Sequence, residues 1–171
     1  MAYKSIKDPG KNNKMGGFKQ KMFMAPLSVF LALQKPDAGK YVITTAHTFG
    51  ASEGFIELYL TKNTGSLKID PMGGPDRKSF KAAVKGFHPG ESDDLLALIN
   101  EGKNDRWVLL APLAGSDELI QVGNDEFQAE LKATYETTEN EGDGRGVTLE
   151  FESYMADIIK YRSTVTLKPT A

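Results

Sequence analysis

From residue 40 onward the chain alternates apolar and polar positions with a period of two, the spacing of strands covered on one face. The run Tyr41-Val-Ile-Thr-Thr is rich in β-branched residues, and residues 54–61 place Ile56, Leu58 and Leu60 on one side. Thr64 and Gly65 predict a turn before a strand carrying Leu67 and Ile69. Residues 79–87 set Phe80, Ala82 and Val84 against Lys81 and Lys85, whereas residues 107–110 form an unbroken apolar run suited to a strand covered on both faces. The longest alternation comes last: Phe127, Ala129, Leu131, Ala133 and Tyr135 oppose Gln128, Glu130, Lys132, Thr134 and Glu136. After turn-forming residues at 139–146, Val147, Leu149 and Phe151 oppose Thr148, Glu150 and Glu152. Together these runs predict an antiparallel hairpin over residues 126–154 with one apolar and one acidic face. A plain amphipathic sheet with a solvated outer face accounts for the same alternation.

One helix interrupts the strands. Ser92 is placed to cap it, Asp93 and Asp94 sit at the positive end of its dipole, and Leu95, Leu98 and Ile99 form an inward stripe. Gly102 is the expected left-handed stop. A helix this short between strands suits an open edge or mouth. The predicted fold is mainly β: an antiparallel β-sandwich or partly open barrel with one short flanking α-helix and a long C-terminal hairpin. Before residue 18 the alternation gives way to Asp8-Pro9-Gly10 and a tract rich in Asn and Gly, which punctuate rather than propagate structure. Residues 1–17 therefore read as a basic extended N-terminal arm, and residues 18–171 as a single β-sandwich domain.

Composition bounds the function. The 171 residues (18.7 kDa) suffice for one core, and a folded monomer of that mass exposes roughly 8,000 Å². With 40% hydrophobic and 26% charged residues the chain lies far from disorder, and the absence of Cys excludes disulfide scaffolds, thiolate zinc sites and cysteine nucleophiles. The longest apolar stretch, residues 22–33, carries Pro26 and Ser28, falls short of the ~18 residues of a membrane helix and has no leader cleavage site. No membrane insertion is expected, and synthesis is expected in the cytoplasm.

The net charge of −2 conceals a gradient. Residues 1–40 hold eight Lys against two Asp (+6), residues 41–88 come to +2, and residues 89–171 hold seven basic against seventeen acidic residues (−10). Lys4, Lys7, Lys11, Lys14, Lys19 and Lys21 of the basic front are the candidates for an inter-subunit arm, ordered when a neighbouring subunit contacts it. The alternative explanation of the gradient is chance clustering of solvated residues.

Candidate chemistry is sparse. His47 and His88 lack a second ligand at metal-binding spacing. The glycines at 73 and 74 lack the trailing Lys-Ser/Thr of a phosphate loop, no GxSxG occurs, and the acidic loop around Asp143 does not fit a calcium hand. No catalytic residue, cofactor or metal is expected, and the chain is read as not an enzyme.

The succession of residues 79–90, 94–100, 107–112 and 118–123, followed by the runs 127–135 and Gly144-Arg-Gly-Val-Thr-Leu-Glu-Phe, resembles bacteriophage virion tail structural proteins. It is similar to tail tube proteins, whose β-sandwich subunits form hexameric rings that stack into a conduit for the genome. The resemblance implies homo-oligomeric rings stacked head to tail, a place in the virion tail after synthesis in the host bacterial cytoplasm, and contacts with tail proteins such as sheath, terminator or baseplate. It implies transient passage of phage DNA without specific binding. It places Glu130, Glu136, Glu150 and Glu152 toward a lumen whose negative wall repels phosphates. The basic front and acidic back then suit stacking of unlike surfaces. The alternative roles are a capsid decoration, head-tail connector or neck structural protein. A carbohydrate-binding sandwich would rest on Tyr59, Tyr154 and Tyr161, and a nucleic-acid binder on the lysine arm.

Overall fold

A computed structural model of the chain describes residues 3–8 and 15–170, and within them lie twelve strands, one helix and a 3-10 turn at Leu27–Val29. The strands are β1 (Lys21–Pro26), β2 (Phe30–Ala32), β3 (Val42–Ile43), β4 (Thr48–Phe49), β5 (Ile56–Tyr59), β6 (Ser66–Met72) and β7 (Ser79–Pro89) before the helix α1 (Asp93–Gly102). After it come β8 (Trp107–Pro112), β9 (Leu119–Val122), β10 (Glu130–Glu136), β11 (Gly146–Met155) and β12 (Ile159–Tyr161). Six strands form one sheet in the order β3-β12-β9-β8-β1-β5, and four form a second in the order β10-β11-β7-β6; β2 and β4 make a small ribbon. The fold is mainly β, as expected, and neither large sheet closes into a barrel.

The main core lies between the two large sheets. Met22, Met24, Leu58, Leu109 and Val122 of the six-stranded sheet, with Leu60 just past β5, meet Ala82, Val84, Leu131, Val147, Leu149 and Phe151 of the four-stranded one. A second cluster, with Phe23, Ala25, Ile43, Phe55, Leu110 and Tyr161, covers the opposite face of the six-stranded sheet beneath Phe30 and Phe49 of the ribbon. This double burial explains why every residue of β8 is buried and why its sequence does not alternate. It also explains β1, a central strand between β5 and β8 that alternation does not reveal because both of its faces are apolar. Conversely, only Val42 and Ile43 of the 41–45 run pair as a strand.

The helix is capped as predicted, Ser92 Oγ accepting from the Leu95 amide at 3.3 Å. Gly102 does not take the left-handed stop; it is the last helical residue, and Lys103 after it remains right-handed. Its role is close approach: a Cβ there would stand 2.6 Å from Trp107 Cζ2, and the Trp107 indole N–H donates to the Gly102 carbonyl at 3.0 Å. Leu95, Leu98 and Ile99 join the main core, so the helix is packed against the sandwich through the predicted stripe.

The chain exposes 11260 Å², about two-fifths more than the roughly 8,000 Å² expected of a folded monomer of its mass. Two features add surface without a core. Residues 3–8 are exposed throughout, and Tyr135, on the inward side of β10, is still 48% exposed because the hairpin projects past the sandwich.

Candidate assembly surface

The outer face of the four-stranded sheet carries the four glutamates singled out from the sequence. Glu130 stands directly across from Glu152, and Glu136 across from Gly146. Glu150 lies between two lysines, with Lys132 opposite on β10 and Lys85 opposite on β7. Glu152 also reaches Lys81 on β7, Nζ to Oε2 at 3.6 Å. On β6, Lys68 stands across from Ala83 and Asp70 from Lys81. Lys68, Lys81, Lys85 and Lys132 thus form a partial chequerboard with Glu150, Glu152 and Asp70, which the like-charged Glu130–Glu152 pair and the unopposed Glu136 interrupt. The expected acidic wall is corrected to a face of mixed charge. The reason is topological: β7 lies far from the hairpin in sequence but beside β11 in space, bringing Lys81 and Lys85 in among the glutamates. The acid surplus collects instead at the exposed hairpin tip, with Glu139, Glu141 and Asp143, where Arg145 pairs with Glu91 at 2.8 Å.

The charge gradient along the chain is likewise folded away. Lys35 of the basic front meets Asp125 of the acidic back at 3.0 Å, and Lys19 meets Asp117 at 3.8 Å. The basic and acidic halves of the chain are therefore not segregated within the sheets, because strands from both halves are neighbours in each sheet. Of the candidate arm lysines, Lys4 and Lys7 are exposed, and Lys11 and Lys14 lie outside the described residues. Lys19 and Lys21 are corrected from arm to sandwich. Lys21 opens β1 across from Tyr59 and pairs with Glu57 at 3.7 Å, and Lys19 donates its amide to the Pro112 carbonyl.

His47 is buried, 2% exposed, at the centre of a polar network that the sequence does not announce. Its Nδ1 accepts from the Gln34 amide at 2.9 Å, so Nε2 carries the proton and donates to Gln121 Oε1 at 2.8 Å. The ring stacks on Tyr161 at 4.8 Å between centroids. Burial holds the His47 imidazole below its ordinary pKa of 6.5, against a smaller opposing effect of the Gln121 hydrogen bond. With both nitrogens engaged and the ring enclosed, His47 ties together segments of the fold and is poorly placed for proton transfer. His88 donates from Nδ1 to the Tyr59 carbonyl at 2.7 Å. In a shallow surface hollow of about 670 Å³, Arg162 grips Glu118 through a fork of 2.7–3.1 Å bonds that lowers the carboxyl pKa. Among the described residues no group of three or more His, Asp or Glu could hold a metal ion, and no helix is long and apolar enough to cross a membrane.

What remains open is backbone. The four-stranded sheet ends in β6 and β10, each seven residues long and each paired on one side only. Edges of this length are templates for pairing with another chain. No family model, no curated protein and no solved structure matches this chain.

Proposed function

We propose that this chain is a non-catalytic structural subunit that joins copies of itself edge to edge into rings, and that the rings stack into the tail tube of a bacteriophage, a conduit for genome delivery. The observation that carries the reading is the direction of the two open edges. Every pairing in the four-stranded sheet is antiparallel, so β10 and β6 run in opposite senses. A copy related by rotation about an axis along the strands brings its β6 beside β10 with the antiparallel alternation unbroken. A ring of such copies is one continuous sheet without edges, a heterologous contact that closes on itself. The equal length of β6 and β10 and the surplus surface fit a subunit that completes its burial by assembly. The mixed charge of the sheet's outer face suits a wall along which a polyanion slides, since lysines and carboxylates alternate too closely to build a long-range attraction.

Negative-stain electron microscopy of the purified protein across a concentration series tests the reading. Rings and tubes are expected; a monodisperse monomer at every concentration overturns it, and isolated rings that never stack move the assignment to a connector or neck subunit.

A further inference from the structure

The stacking contact can be assigned to particular residues. This inference deepens the proposed tube and rests on that reading for its biological setting, but its chemistry stands on separate observations. Tyr3 and Ile6 of the N-terminal segment are 103% and 99% exposed, large apolar side chains flanked by Lys4 and Lys7. A hollow of about 190 Å³ elsewhere on the chain, room for one such side chain, has the opposite character. Its floor includes Leu33, Ile43 and Ile159, and its rim carries Asp125, Glu126 and Asp157. Lys35 engages Asp125 at 3.0 Å and is also attracted by Glu126, whereas Asp157 has no ion pair among the described residues.

The point where the N-terminal segment joins the sandwich and the hollow lie at opposite ends of one sheet. The arm leaves the sandwich where Phe18 bridges Leu113, past the end of β8; the hollow opens beside Gly123, which lies against Trp107 at the start of β8. Six residues of strand, about 20 Å, separate them. Because donor and acceptor are different patches, copies that share one orientation along an axis can repeat this contact head to tail. We infer that the N-terminal segment of one copy seats Ile6 or Tyr3 in the hollow of a second copy, with Lys4 and Lys7 against Glu126 and Asp157.

The absence of cysteine makes the test clean. Full-length Ile6→Cys and full-length Ala156→Cys, the latter at the exposed rim of the hollow, are mixed and oxidised. A mixed disulfide is expected, at least tenfold above that formed between Ile6→Cys and a Lys78→Cys control. Glu126→Lys with Asp157→Lys on the acceptor should abolish it, and Lys4→Glu with Lys7→Glu on the donor should restore it. No mixed disulfide, equal capture by the control, or a disulfide formed only within a chain carrying both cysteines overturns the inference. Microscopy of the same samples separates the two readings: rings without the disulfide refute the arm contact alone, and the disulfide without rings refutes the edge-joined ring alone.

Discussion

Glu150→Lys measures whether the chequerboard on the four-stranded sheet is an energetic feature or an accident of drawing charges on strands. Glu150 faces Lys132 on one side and Lys85 on the other, in direct cross-strand register. Each opposite-charge pair in that geometry contributes about 0.2–1 kcal/mol, and like charges cost a similar amount. Reversal removes two attractions and installs two repulsions. Both lysines are exposed, which places each contribution at the low end of the range, so the loss should be about 1–2 kcal/mol. For a chain of this size that is a fall of about 3–6 °C in Tm. Glu136→Lys is the internal reference, because Glu136 faces Gly146 with Pro89 beyond, and its change should stay within about 0.5 kcal/mol. The assay is thermal unfolding of both variants at low and high salt. As the screening length shrinks from about 10 Å at 0.1 M to about 3 Å at 1 M, the difference between the variants should collapse. Equal destabilisation by the two variants, or a difference that survives 1 M salt, would refute the reasoning.

Gly102→Ala should destabilise the fold by about 1–2 kcal/mol, the crowding against Trp107 of about 1–3 kcal/mol outweighing a gain of up to ~1 kcal/mol in helix propensity. Denaturant unfolding checks this together with Gly102→Asn, which a left-handed stop would tolerate and a packed glycine does not. The buried, neutral His47 gives a pH signature: its folded pKa is lowered, so its contribution is intact above 6.5 and is lost as pH falls from 6.5 through the lower folded value. His47→Gln should flatten the stability profile in that window relative to the parent protein, and an unchanged slope would show that the enclosed ring is not responsible.

Local periodicity carried much of this fold. Alternation in β7, β10 and β11 exposed their inner faces, and the Ser92 cap with its acidic first turn located the helix, because each signal depends only on neighbours in sequence and the geometry of one element. β1 escaped because a strand buried on both faces loses its period, and the same apolar run is compatible with several structures. Gly102 was legible as a boundary but not as a packing contact, since its partner is the indole of Trp107 beyond the turn. The polar bonds of His47 reach Gln34 and Gln121, thirteen and seventy-four positions away, and no spacing rule links them.

The charge pattern divides the two sources of information most plainly. Sequence by itself determined that the hairpin has two faces, that its polar face holds Glu130, Glu136, Glu150 and Glu152, and that the front of the chain is basic and the back acidic. Only the tertiary structure decided what those charges meet. By setting β7 beside β11 and β1 beside β8, it interleaved the two halves, replacing an acidic wall with alternating signs and a gradient with pairs. Coulomb interactions at strand spacing depend on which strands are neighbours, and strand order is set by how the two sheets bury their apolar faces together, which no single stretch of chain encodes.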